Sequence, residues 1–192
     1  MDADKAVLQD YLQRQREALL WKLDGLSEAQ VRRPMTSTGT NLLGLVKHVA
    51  AVEQGYLLTC FGRPEAEPTP WMYGDEPNAD MYATADESMT WVLDFYRRVG
   101  ELSDATIAEL PLDASATVPW WPEERRTPTL SHLLLHVIQE TARHAGHADI
   151  VREQIDRAAG LSQANRNLPP EGEQWWAAYV ERLSSIAESF ER

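Results

Sequence analysis

Residues 129–155, TLSHLLLHVIQETARHAGHADIVREQI, carry four of the chain's five histidines and a glutamate at helical spacing. Each residue of an α-helix advances about 100° around the axis. His132, His136, Glu140, His144 and His147 therefore fall within an arc of roughly 120° and form one polar seam. The neighbouring Leu133, Val137, Ala148 and Val151 are apolar, which sets the seam beside a buried face. Ionisable side chains in such a place need partners. Residues four apart lie one above the other, so several pairs can reach a common ion: His132 with His136, His136 with Glu140, Glu140 with His144, and, three apart, His144 with His147. His132 and His144 stand roughly 18 Å apart along the axis, at about 1.5 Å of rise per residue, so one ion cannot use them all. Spacing alone does not choose the pair.

A further donor must come from another segment. The remaining histidine is His48, in NLLGLVKHVAAVE, where Leu45, Val49 and Val52 mark a core-facing surface. Two inward-facing helices that bear histidines make a His, Glu, His site one candidate, against the simpler reading that each histidine is a hydrogen-bonded core residue. Three protein donors leave coordination positions open, as a catalytic metal requires and a structural one avoids. Imidazole and carboxylate suit Zn²⁺ or another imidazole-tolerant divalent ion. Two neutral imidazoles and one carboxylate leave such an ion a residual charge of about +1, which favours hydroxide or thiolate as a further ligand.

The rest of the chain reads as scaffolding. At 192 residues it is long enough to bury a core without staples, and a single domain over 1–192 is expected. One cysteine, Cys60, excludes an intramolecular disulfide and a cysteine-based zinc cluster, and suits a reducing compartment. The polar start MDADKAVLQDYLQ has no leader character, and no apolar run approaches the roughly 20 residues of a membrane span, so a soluble, cytoplasmic protein is expected. A net charge of −12 argues against nucleic acid or an anionic membrane as partner.

Residues 4–24 place Leu8, Tyr11, Leu12, Leu19 and Leu23 on one stripe and predict helix one. GLSEAQVRRPMTSTGTN turns the chain, and helix two is expected from about Asn41 to Phe61. Residues 62–84 contain four prolines and no sustained period. A connection of that length in a bundle joins helices that run the same way, so helices two and three are expected to be parallel. Helix three is expected over Asp86–Ser103, capped by Asp86 or Thr84, with Trp91, Val92, Phe95 and Val99 inward. An irregular passage with Trp120 and Trp121 between Pro119 and Pro122 precedes helix four, the opening stretch. A polar loop then leads to a final amphipathic helix, WWAAYVERLSSIAESF, which either packs on the bundle or forms a homodimer contact. The expected fold is an all-α four-helix bundle with a long connection between helices two and three and an extra C-terminal helix.

The strings TGTNLLGLVKHVAAVEQGY, FGRP and HVIQETARHAGHADIVREQI resemble the DinB/YfiT-like superfamily of metal-binding four-helix bundles. More narrowly, they resemble its actinobacterial branch of mycothiol-dependent S-transferases, which includes the mycothiol-dependent maleylpyruvate isomerase. The resemblance spans about residues 5–160 and implies a DinB-like bundle with His48, Glu140 and His144 as metal ligands. Many other members of the superfamily carry histidine in place of Glu140, so the carboxylate points to the thiol-transferase branch. The isomerase has a further C-terminal domain that contributes to its active site and is not part of this sequence, so the resemblance implies thiol transfer in preference to isomerisation. The implied co-substrates are mycothiol and an electrophilic small molecule, and the implied chemistry is attack by a metal-held thiolate on carbon.

Other residues divide between roles. His147 is a candidate general base or a hydrogen-bonded structural residue. Glu53 and Arg143 either orient the thiol or form ion pairs. Trp71, Trp120 and Trp121 either cover the site or pack as ordinary aromatics. Gly146 permits close approach of a helix or ligand. Cys60, without a histidine in its local pattern, reads as a small buried residue. Two other classes remain open: a metal-dependent hydrolase that needs no thiol, and a non-enzymatic binding protein with a vestigial seam.

Overall fold

Four long helices follow from four amphipathic stretches, and three of them begin where a side chain takes up an otherwise orphaned backbone N–H. The computed structural model describes residues 3–191. α1 spans Ala3–Trp21, a short α2 spans Glu28–Arg32, and α3 spans Leu42–Leu57. α4 spans Met89–Glu109, α5 spans Leu130–Asp156 and α6 spans Glu173–Glu188. Asn41, Ser88 and Thr129 cap α3, α4 and α5, each accepting a hydrogen bond from a backbone N–H three residues on. α5 ends at Arg157, in the left-handed conformation with φ of 63°.

Three expectations need correction. The turn after α1 contains α2, held by a capping box between Ser27 and Gln30. α3 stops at Leu57 and a 3₁₀ turn over Thr59–Phe61 completes the stretch read as helix two. α4 starts later and runs further than Asp86–Ser103. Its cap is Ser88 because the Glu87 carboxylate is turned back to the Thr84 N–H and to Lys47, and the helix ends just before Pro111.

Contacts at both ends fix the helix directions. Lys47 near the start of α3 meets Glu87 just before α4, and further along both helices Gln54 and Arg98 bond to the same Glu67. α3 and α4 are therefore parallel, as the length of their connection implies. Tyr56 faces His136 while His48 faces His144, so α5 runs opposite to α3. Arg16 of α1 meets Glu53 of α3, and Lys22 after α1 meets Asp149 of α5, which makes α1 antiparallel to α3 and parallel to α5. The fold is an all-α DinB-like bundle in up-down-down-up order, with α6 as an extra C-terminal helix.

The core has two apolar layers. One gathers Leu19, Leu45, Val49, Phe95, Val99 and Ala148, and the other Leu12, Leu57, Ile107, Val118, Leu133 and Val137. Between them, each helix contributes polar residues: Arg16, Glu53, Ser103 and Thr141 are all buried. α6 lies apart. None of its residues is buried, and Trp175, Val180, Leu183 and Ile186 remain exposed.

Candidate metal centre

α3 and α5 present facing rows of side chains at four-residue spacing. On α3 the row is His48, Val52 and Tyr56, and on α5 it is His144, Glu140 and His136, all at least partly exposed except the nearly buried His144. At one level, His48, Glu140 and His144 bring one donor atom each to within 4.8 Å of one another. His144 Nε2 stands 3.6 Å from Glu140 Oε2, and the two imidazoles meet edge to face with centroids 4.7 Å apart.

The donor set fits a divalent ion. Two donors bound to one ion at about 2.0–2.1 Å are separated by at most about 4.2 Å. In a tetrahedral site the separation is roughly 3.4 Å; the Glu140–His144 pair is already close to that, and the whole set needs to close by at most about 1.4 Å. Burial, and then the neighbouring His48 and His147, push the His144 imidazolium down to about 4, so the ring is neutral at pH 7 and its lone pair is available. His144 Nε2 is the nitrogen turned to Glu140, while its Nδ1 is buried with no hydrogen-bond partner.

His48 is oriented from outside the helix pair. Its Nδ1 lies 2.6 Å from Asp80 Oδ2, in the long connection between α3 and α4. A carboxylate only accepts, so in the neutral ring the proton sits on Nδ1 and Nε2 presents its lone pair. The connection is strapped across the first turns of α3. Asn41 Nδ2 donates to Met81 O at 3.2 Å, and Lys47 Nζ donates to Ala79 O at 3.2 Å and Tyr82 O at 3.0 Å. Gly44 makes this approach feasible, since a Cβ there would lie 1.8 Å from Met81 O. Sequence reasoning missed Asp80, because nothing in NADMY separates it from Asp75 or Glu76. Gly44, one turn before His48, was the available signal of close backbone approach.

The other candidates are distributed differently. His147 is exposed at the edge of the cluster, its ring 5.3 Å from that of His144. Arg143 is exposed and forms no ion pair among the described residues. Glu53 is fully buried, and both its oxygens accept from Arg16, at 2.5 and 3.1 Å. The ion pair weighed for it exists, but between helices and inside the core. Trp71 packs edge-on to Phe95 with the Lys47 ammonium 4.3 Å from its ring centre, a packing role. His132 and His136 stay outside the donor cluster, against Trp121 and Tyr56. Gly146 has open space around it and nothing approaches. A cleft of about 1220 Å³ between α5 and α6, lined by Glu153, Arg157, Leu168 and Trp176, contains none of the donors and begins roughly 13 Å along α5 from His144.

A family model described as mycothiol-S-transferase matches residues 7–157, well over half of the chain. The chain belongs to the mycothiol-S-transferase family. The matched region runs from α1 to the left-handed cap of α5, so it takes in the whole donor cluster and Asp80 and leaves α6 outside. A search of curated proteins matches none to this chain. Membership makes the protein a transferase and mycothiol its thiol substrate. No helix among the described residues is long and apolar enough to cross a membrane.

Proposed function

We propose that this mycothiol-S-transferase conjugates mycothiol to an electrophilic small molecule in a reaction that depends on a divalent ion, zinc by preference, held by His48, Glu140 and His144. The observation that carries the reading is the convergence of three metal-compatible donors from two antiparallel helices, with a neutral His144 and a carboxylate behind His48. When bound, the ion supplies positive charge that favours the thiolate form of the thiol at neutral pH.

The chain's own residues do the rest. His147, at the solvent edge of the cluster, accepts the proton that the thiol loses and passes it to water. Arg143, exposed one residue before His144, offers an uncommitted guanidinium to polar groups of the thiol. The sulfur lone pair forms the new C–S bond, and the leaving group departs with the electrons of the bond that breaks. The reading makes the protein a cytoplasmic detoxification enzyme.

The test is elemental analysis of the purified protein, followed by conjugation of a generic electrophile with mycothiol in metal-free and zinc-loaded samples. One equivalent of metal and a conjugate formed only in the loaded, thiol-containing sample is the expected result. Turnover of an ester without thiol would move the site to hydrolysis. Metal-free protein with no loss of conjugation would end the metal-dependent reading.

A further inference from the structure

One helical turn beyond Glu140, about 6 Å along α5, the groove between α3 and α5 becomes aromatic. Tyr56 and His136 meet edge to face at 4.6 Å across the two helices. Trp121 packs 5.7 Å from Tyr56 and 5.4 Å from His136, and Trp120 packs 5.5 Å from Tyr56. The two tryptophans arrive on the passage before α5, which is tied to the end of α3 by the Thr117 N–H donating to Cys60 O at 3.1 Å. The ring tip of Trp120 lies over Gly55, at ordinary van der Waals distance from where a Cβ would be.

This is not ordinary core packing, because Trp120 is 45% exposed and Tyr56, Trp121 and His136 are each partly open to solvent. An aromatic cluster left open beside polar chemistry marks a ligand surface. Its two indole N–H groups are turned inward. Trp120 Nε1 and Trp121 Nε1 both donate to the Tyr56 hydroxyl oxygen, at 3.2 and 3.1 Å. What remains for a ligand is the Tyr56 O–H, the ring nitrogens of His136 and the ring faces and edges, which suit a flat, largely apolar molecule with a polar substituent.

We propose that Tyr56, Trp120, Trp121 and His136 form the subsite for the electrophile, and that this subsite selects planar aromatic electrophiles. The proposal rests on the thiol-transfer reading for the chemistry at the neighbouring donors. Stacked on this wall, an aromatic ring places its reactive carbon toward Glu140 and the donor cluster, while the thiol approaches from the side of His147 and Arg143.

The experiment has two arms. In the first, 2-naphthol is titrated into metal-free, thiol-free protein by calorimetry, for the native chain, Trp120→Ala, Trp121→Ala and, as a control on α6, Trp175→Ala. Binding that weakens roughly tenfold in the two wall variants and is unchanged in the control is expected. In the second, zinc-loaded protein with mycothiol conjugates 1-chloro-2,4-dinitrobenzene or iodoacetamide. The wall variants should lose roughly tenfold in kcat/KM for the aromatic electrophile and nothing for iodoacetamide, with Trp120→Phe and Trp121→Phe restoring most of the loss. No binding of 2-naphthol, equal binding in all variants, or an equal loss for both electrophiles would overturn the subsite. Absence of any conjugate in the native chain would instead strike the transferase reading, and the first arm would still decide the wall.

Discussion

His48 Nδ1 and Asp80 Oδ2 lie 2.6 Å apart, although 32 residues separate them in the chain. The contact sets the tautomer of one donor of the candidate metal centre and holds its ring plane. Asp80→Ala is therefore expected to lower zinc affinity about 10–100-fold, read by competition with a chromophoric chelator, while the helical circular dichroism stays as in the native chain. Unchanged affinity would mean that the carboxylate only anchors the strap.

Gly44 decides whether that strap can lie where it does. A methyl group there would meet Met81 O at 1.8 Å, and the obstacle is backbone, so something must move. Gly44→Ala should cost about 1–3 kcal/mol in urea unfolding and weaken zinc binding as well, because Asp80 moves with Met81. A stability loss with native zinc affinity would uncouple the strap from the site.

The donor assignment is tested by removal. His48→Ala and His144→Ala should each abolish stoichiometric metal in the purified protein, whereas His132→Ala, whose ring packs 5.5 Å from Trp121, should retain it. If His132→Ala strips the ion, the ligands have been misassigned.

Arg16 bridges Glu53 of α3 and Asp104 of α4 inside the bundle, with its own side chain and that of Glu53 almost wholly buried. Removing one partner leaves the other charge without compensation. Glu53→Ala should lower stability by about 3–5 kcal/mol in denaturant unfolding and leave the number of zinc ions bound by the folded fraction unchanged. A loss of metal without loss of stability would return Glu53 to the site.

Burial pushes the Cys60 thiol up to about 11 from an ordinary 9.0. The folded state thus favours the neutral thiol more than the unfolded state does. This contribution to stability is fully present below pH 9.0 and is lost as pH climbs toward about 11. Cys60→Ala should flatten part of the alkaline fall in unfolding free energy, and in the native chain iodoacetamide at pH 8 should label Cys60 quickly only after urea is added.

The sequence by itself determined the helices and the row of donors on the longest one. Helical period is local, and Thr129, Asn41 and the apolar stripes of α1, α3 and α5 state it within a few residues of where it applies. The same reading put His48 on a helix face and inferred from the length of the 62–84 connection that α3 and α4 run parallel. The late start of α4 escaped it, because Glu87 was drawn to Lys47, a partner forty residues away, whereas α2 was missed although its capping box, Ser27 with Gln30, is local.

Only the tertiary structure decided which members of the seam meet another helix. Antiparallel packing of α5 on α3 sets His144 opposite His48 and His136 opposite Tyr56, so one turn of a single helix separates metal-compatible chemistry from an aromatic wall. It also decided that Glu53 turns inward to Arg16 and that Asp80 comes down on His48. Those outcomes depend on the path of a proline-rich strap and on the angle at which helices pack. Neither has a period, and both are set by contacts between residues tens of positions apart.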